Sequence, residues 1–191
     1  MTAAHAEAER RSSPSDYFQA LPPSRQLAVA CTSTLLVVAS FLRFGVSAHA
    51  LVGSILAAAL IFLTVIDLDR RLLPDAIVLP TLAIVLAIQM AFYPDRAVEW
   101  ILAALGAALF FFIPMLVYPP GMGMGDVKLA ALLGAALGKA VAGAIFVGLM
   151  AAAAVGLIVL AREGLGARKK AIAFGPFLAL GGLVVLFLGG R

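Results

Sequence analysis

The sequence predicts an all-α protein that crosses a membrane several times. Of its 191 residues, 63% are hydrophobic and only 13% are charged, and the mean hydropathy is +1.09. A soluble domain with so few charges would leave too much apolar surface facing water. The apolar residues also form runs between short polar breaks, and most runs have the ~20 residues that a helix needs to cross a bilayer core of about 30 Å. Together these observations predict a polytopic helical membrane protein.

The predicted elements follow the polar and apolar segments along the chain. Residues 1–25 are rich in Ser, Pro, Glu and Arg, which predicts a flexible N-terminal tail or a segment lying on the membrane surface. Residues 26–191 predict one membrane-embedded domain. The first run, with "SAHA" (47–50) after it, also resembles a signal peptide, but its length and its long polar leader favour a retained helix. About seven transmembrane helices are predicted, with six and eight as alternatives, from the runs 27–45, 50–66, 76–93, 98–118, 127–138, 140–161 and 173–189.

The fifth and sixth helices are predicted by dividing one long apolar stretch. Residues 129–161 are apolar throughout apart from Lys139. A single helix over these 33 residues would be about 50 Å long, too long for one crossing. We therefore predict a break at Gly138–Lys139 and a short fifth helix that starts near Asp126.

The distribution of basic residues predicts the orientation of the chain. With a cytoplasmic N-terminus, the cytoplasmic segments hold ten basic residues: Arg10, Arg11, Arg25, Arg70, Arg71, Lys128, Arg162, Arg168, Lys169 and Lys170. The opposite segments hold four: Arg43, Arg96, Lys139 and Arg191. Because Lys and Arg are enriched on the cytoplasmic side of membrane proteins, we expect the N-terminus and the loops after the second and fourth helices to lie in the cytoplasm.

The composition argues against several classes of site. One cysteine, Cys31, excludes a disulfide framework and a Cys-rich zinc site. The two histidines, His5 and His49, are far apart in the sequence, so we expect no metal. No glycine-rich nucleotide fingerprint is present, so no cofactor is expected. The basic residues are spread through loops rather than massed on one face, so no nucleic-acid partner is expected.

Two aspartates stand at helix ends that are predicted to face the same water. Asp67, in "VIDLDRRLLPDAIVLP" (65–80), directly follows an apolar run, and Asp126, in "YPPGMGMGDVKLAALLG" (118–134), opens the fifth helix. An ionised carboxylate at the centre of a bilayer costs about 2.5–3.5 kcal/mol, so its presence near the core suggests a function. If these helix ends pack together, one carboxyl stays protonated while the other acts as a base. Such a pair can activate a water molecule against a peptide carbonyl.

The residues before Asp126 predict a sharp bend or a close approach of the backbone. Gly121, Gly123 and Gly125 lack Cβ atoms, which lets the chain turn tightly or lie against a substrate strand. The prolines at 119–120 end the preceding helix. The alternatives are a merely flexible loop, or a helix-packing pair made by Gly121 and Gly125.

Three motifs resemble one family of membrane proteases. The segments "IDLDRRLLPD" (66–75), "GMGMGDVKL" (121–129) and "FGPFLALGG" (174–182) are similar to those of the type IV prepilin peptidases, which are GxGD-type aspartic proteases. The resemblance covers about residues 50–190. It implies that Asp67, seven residues before the proline of the first motif, and Asp126 of the GxGD motif are the catalytic pair. It also implies cleavage of the leader from pilin-like precursors at the cytoplasmic face of the bacterial inner membrane.

The charged neighbours of the two aspartates have alternative roles. On a continuing helix Asp69 points away from Asp67, so it either assists or binds substrate, or is a solvated charge at the membrane boundary. Asp75 follows a proline and is predicted to be the N-cap of the third transmembrane helix, with a supporting or substrate-contacting role at the site as the alternative. Lys128 either stabilises the ionised form of Asp126, contacts substrate, or extends to the membrane interface.

The third motif, at 174–182, is expected to lie near the two aspartates. Gly175 and Pro176 are predicted to break or shape the last helix, and the resemblance implies that they line the site.

Longer family members carry a Cys-rich zinc domain after their first span and also methylate the new pilin N-terminus. Here residues 45–50 alone separate the first two spans, so no methyltransferase activity is expected. The expected partners are a pilin precursor with a hydrophobic N-terminal helix and the lipid bilayer. The sequence leaves open the pilus system and the oligomeric state.

Two other functions fit the same aspartates. In the first they form a proton or cation pathway in a small transporter, which would favour acidic groups near the midplane and symmetry between the two halves of the chain. In the second the chain is an inactive scaffold in a pilus or secretion assembly. The sequence shows neither midplane acids nor repeat symmetry, and it retains both aspartates.

Overall fold

The computed structural model shows an all-α bundle, as the sequence predicts. It describes residues 14–70, 72–117, 123–163 and 173–189, and within these ranges every regular element is helical. The α-helices are α1 Pro14–Gln19, α2 Pro23–Phe44, α3 Ala48–Arg70, α4 Asp75–Phe92, α5 Ala97–Val117, α6 Met124–Leu137, α7 Val141–Glu163 and α8 Gly175–Leu188. Short 3₁₀ turns cover Pro94–Arg96 and Gly138–Ala140.

The helices α2–α8 correspond to the seven predicted runs. By length and composition, five stretches of the described residues are able to cross a membrane: Pro23–Phe44, Ala48–Arg70, Asp75–Phe92, Pro94–Val117 and Met124–Arg162; the apolar helix Gly175–Leu188 is shorter. The longest stretch is divided as predicted, because α6 ends at Leu137 and Gly138 has a φ of 57°. Side chains disfavour this left-handed conformation, and glycine adopts it readily. The prediction of a polytopic all-α protein is confirmed.

Contacts at the helix ends show that α2 and α3 run in opposite directions and that α4 and α6 run in the same direction. Arg25 at the start of α2 forms an ion pair with Asp69 near the end of α3. Lys128 in the first turns of α6 contacts Asp75 at the start of α4. These residues, together with Asp67 and Asp126, mark one end of the bundle, which we call the aspartate end; we call the opposite end the distal end.

The core of the bundle lies around α6 and α3. Helix α6 packs against α4, α5 and α8, and α3 packs against α2, α4 and α8. Close backbone approach is required where α6 crosses α5, because a Cβ on Gly134 would overlap the carbonyl of Ala103. Small residues permit such packing between membrane helices, where van der Waals contact replaces the hydrophobic effect as the driving force. The buried residues of α6 are Val127, Leu129, Ala130, Leu132, Leu133, Gly134, Ala135 and Ala136.

Residues 14–25 of the segment predicted as a flexible tail or a surface-lying segment contain helix α1 and the start of α2, and the division of the chain at residue 25 stays a prediction. Helix α1 packs on α3 at the aspartate end: Tyr17 is buried, and the ring of Phe18 lies 6.1 Å from that of Phe62. The guanidinium of Arg70 lies 5.4 Å from the centre of the Tyr17 ring, a cation–π contact. The two aromatic side chains anchor a segment whose average composition is polar. Residues 1–13 lie outside the described residues.

A matched pair of glycine substitutions tests the packing of α6 on α5. Gly134→Ala should lower the free energy of unfolding by about 1–3 kcal/mol, because its Cβ would enter the space of the Ala103 backbone. Gly106→Ala on α5 meets nothing within 4 Å and should be neutral or stabilising by up to about 1 kcal/mol. Unfolding in mixed detergent micelles measures both values. Equal effects of the two substitutions would contradict this packing.

Candidate active site

Asp67 is a buried carboxylate that joins α3 to α8. It lies in the last turn of α3 with 5% of its surface exposed. Its Oδ2 accepts a hydrogen bond from the backbone N–H of Gly175, the first residue of α8, at 3.0 Å. A Cβ on Gly175 would lie 2.6 Å from that same oxygen, so the contact requires glycine. The first backbone donors of a helix have no partner within it, and here one of them orients Asp67.

Asp126 is a partly exposed carboxylate at the start of α6. It is the third residue of that helix, and its Oδ2 accepts the backbone N–H of Gly123 at 3.3 Å. Its own N–H donates to the Gly123 carbonyl at 3.1 Å. This pair of bonds resembles one half of a capping box, with a carboxylate reaching back to the N-cap residue. The start of its own helix therefore holds the Asp126 side chain in place, while part of that residue stays exposed.

Asp67 and Asp126 both lie at the aspartate end, near enough for their carboxylates to influence each other electrostatically, although 59 positions separate them in the chain. The two groups differ in environment, since Asp67 is enclosed between α3 and α8 while Asp126 is half-buried. Two neighbouring carboxyls in unlike surroundings can hold different protonation states. The arrangement can therefore supply an acid and a base to one water molecule.

Lys128 and Asp75 form an ion pair beside this site. The Nζ of Lys128 donates to both carboxylate oxygens of Asp75, at 2.6 and 2.7 Å. The prediction that Asp75 caps its helix is wrong, because Pro74 occupies the N-cap position and the Asp75 side chain makes no capping bond. A full positive charge on the adjacent helix is a stronger partner for a carboxylate than a backbone N–H. Lys128 therefore binds Asp75 rather than Asp126.

Asp69 points away from the site, as its helical spacing predicts. Helix α3 continues to Arg70, so the side chains of Asp67 and Asp69 leave it about 160° apart. Asp67 faces α8, and Asp69 faces α2, where it pairs with Arg25. The structure thus joins Asp69 to the first long helix and separates it from Asp126.

The remaining motif residues shape the backbone around the two aspartates. Gly125 lies against the α3–α4 connection, where an added Cβ would be 2.8 Å from the Cβ of Leu73. Pro176 is the second residue of α8, a position that suits proline at a helix start rather than a break. The ring of Phe174, just before α8, packs 5.7 Å from that of Phe111. Sequence reasoning missed Leu73 and Phe174, since nothing in the pattern distinguishes them from other apolar residues. Gly121 lies outside the described residues.

Metal ligands are not grouped in the described part of the chain. Among residues 14–70, 72–117, 123–163 and 173–189, no cluster of three or more His, Cys, Asp or Glu side chains is arranged to hold a metal ion. The absence of a metal and of a cofactor stays a prediction from the sequence.

Comparison with known proteins identifies the family. The type IV leader peptidase family matches residues 54–161, more than half of the chain, and this range contains both Asp67 and Asp126. This chain belongs to the type IV leader peptidase family. The predicted resemblance to the type IV prepilin peptidases is thereby confirmed.

Several similar proteins share one name. The prepilin leader peptidase/N-methyltransferase of Burkholderia pseudomallei is 35% identical over 165 residues, which are 82% of this chain and 52% of that protein. The protein of the same name from Xanthomonas campestris is 34% identical over 168 residues, with coverage of 82% and 56%. That of Bacillus subtilis is 28% identical over 168 residues, with coverage of 87% and 66%. The chain thus spans about half to two thirds of the length of these relatives. No solved structure matches it significantly.

The unequal burial of the two aspartates is testable by chemical labelling. A water-soluble carbodiimide with an amine should modify Asp126 faster than Asp67, because the reagent must reach the carboxyl group and Asp67 is buried. Mass spectrometry of digested protein gives both rates. Gly175→Ala should raise the rate at Asp67, since its Cβ would displace that carboxylate, whereas Gly156→Ala meets nothing within 4 Å and serves as the control. Faster labelling of Asp67 than of Asp126 in the parent protein would contradict the site geometry.

Proposed function

We propose that this chain is a membrane aspartyl endopeptidase that removes the N-terminal leader of type IV pilin-like precursors. The observation that supports it most is the meeting of Asp67 and Asp126, from α3 and α6, at one end of the bundle. Both residues lie in the part of the chain that matches the leader peptidase family. The names of the relatives supply the substrate class, a prepilin. The N-methyltransferase activity in those names is not part of the proposal, and its absence from this chain stays a prediction.

The two carboxyls divide the work of hydrolysis between them. A water molecule between Asp67 and Asp126 gives a proton to the ionised carboxylate as its oxygen attacks the carbonyl carbon of the scissile bond. The protonated carboxyl donates a hydrogen bond to the carbonyl oxygen and stabilises the tetrahedral intermediate. The proton then passes to the leaving amine as the C–N bond breaks. Because neighbouring carboxyls titrate as a unit, the acid and base roles belong to the pair.

The substrate enters from the side of the bundle at the cytoplasmic face of the inner membrane. Its hydrophobic helix lies against α3 and α6, and the leader before that helix extends past the two aspartates. Basic residues support this orientation, since Arg25, Arg70 and Lys128 lie at the aspartate end, near the start of α2, the end of α3 and the start of α6. Arg43 lies at the opposite end of α2.

Three isosteric substitutions test the catalytic assignment. Asp67→Asn and Asp126→Asn should each lower cleavage of a pilin precursor by about 10²- to 10⁴-fold, the usual contribution of acid–base catalysis. Asp69→Asn is the matched control, since this residue pairs with Arg25 and faces α2, and it should keep activity close to the parent value. Cleavage by purified protein in liposomes gives the rates, and membrane protein levels are checked by immunoblot. Normal cleavage by both of the first two variants would exclude the two-aspartate mechanism.

Labelling of single cysteines tests the proposed orientation. In a Cys31→Ser background, Val46→Cys at the distal end should react with a membrane-impermeant maleimide in cells whose outer membrane is permeabilised. Leu68→Cys, exposed at the aspartate end, should react only after the inner membrane is opened. The opposite order of labelling would place the aspartate end outside the cytoplasm.

A further inference from the structure

Two contacts attach the start of α6 to the connection between α3 and α4. Gly125 lies against Leu73, with room for no Cβ between them, and Lys128 binds both carboxylate oxygens of Asp75. Asp126 lies between Gly125 and Lys128 in the chain. The first turn of α6 is therefore held on both sides of Asp126 by residues of one short connecting segment.

Asp67 lies in the last turn of α3, and the connection to α4 follows that helix. Asp75 is eight positions after Asp67, the ion pair joins Asp75 to Lys128, and Lys128 is two positions after Asp126. The ion pair therefore lies on a short path between the two aspartates that includes neither carboxylate.

We propose that Asp75 and Lys128 are positioning residues that hold Asp126 opposite Asp67, a proposal that rests on the function proposed above. Neither residue is one of the reacting groups, because the Lys128 amine is occupied by Asp75. Asp126 lies in the first turn of α6, so the contacts that this turn makes with neighbouring segments determine its place relative to Asp67. The ion pair supplies such a contact with defined geometry.

The exposure of the Lys128–Asp75 ion pair predicts different effects of its loss on the reaction rate and on the stability of the bundle. The side chains of Lys128 and Asp75 are 27% and 43% exposed, so solvent screens their attraction and the pair contributes little to the stability of the whole bundle. A small displacement of a catalytic group, in contrast, strongly affects the rate: a shift of about 1 Å can cost about 10²-fold. We therefore expect loss of the pair to lower the reaction rate much more than the stability.

Kinetic measurements on variants of the pair give the first test. Lys128→Met should lower kcat by about 10- to 100-fold with little change in KM, and Asp75→Asn should do the same. The exchanged pair Asp75→Lys with Lys128→Asp should recover most of that loss, and Lys128→Arg should retain most of the activity. Arg25→Met is the matched control, since it breaks an ion pair at the same end of the bundle that does not include α6. It should leave kcat unchanged.

A distance measurement tests the same inference without peptidase activity. Leu68 and Met124 are exposed neighbours of the two aspartates, so cysteines at these positions can carry spin labels in a Cys31→Ser background. Electron paramagnetic resonance should give one narrow distance distribution in the parent protein. Lys128→Met should broaden or shift it, and Arg25→Met should not.

Each outcome supports or overturns the proposal. A broadened distance in Lys128→Met together with a lowered kcat supports positioning. An unchanged distance in that variant overturns it, whatever the peptidase assay shows. A raised KM with unchanged kcat, or no recovery in the exchanged pair, overturns it in favour of a substrate contact. If the parent protein cleaves no pilin precursor, the proposed function fails, while the distance result still decides whether the ion pair fixes the start of α6.

Discussion

Close packing around the short helix α6 determines the arrangement of the aspartate end. With 14 residues, α6 is about 21 Å long, less than the bilayer core of about 30 Å. Helix α8 also has 14 residues and starts at the same end. The N-termini of α6 and α8 both lie at the aspartate end, where the first residue of α8, Gly175, contacts Asp67 in the last turn of α3.

The helix ends also supply hydrogen-bond donors to the two carboxylates, which lie near the membrane core. A buried polar group is costly unless it is hydrogen-bonded, and each aspartate accepts a backbone N–H. Asp67 receives it from the start of another helix, so the positions of α3 and α8 are coupled through one carboxylate. Asp126 receives it from Gly123 before its own helix, and therefore moves with α6. The two groups are thus held by different parts of the bundle, and their separation depends on how those parts dock.

Glycine makes several of these contacts possible at separate points of the bundle. Gly175 leaves room for the Asp67 carboxylate, Gly125 for Leu73, and Gly134 for the backbone of α5. In each case a methyl group would fall closer to its neighbour than real Cβ atoms lie. Two of these glycines, Gly125 and Gly175, lie in the sequence motifs, and at both positions a close contact leaves no room for a Cβ. The ion pairs of Lys128 and Arg25 also join neighbouring helices at this end.

Hydrophobic length and motif spacing are local properties of the chain, so the amino-acid sequence alone predicts the fold class, the seven apolar helices, the break at Gly138 and the two aspartates. It also indicated the direction of Asp69, which follows from helical geometry alone. Only the tertiary structure decided the partners: Asp75 binds Lys128 instead of capping α4, and α1 packs on α3 through Tyr17. These contacts depend on which helices are neighbours in space. Periodicity along the chain does not show which helices are neighbours, since Asp75 and Lys128, for example, are 53 positions apart.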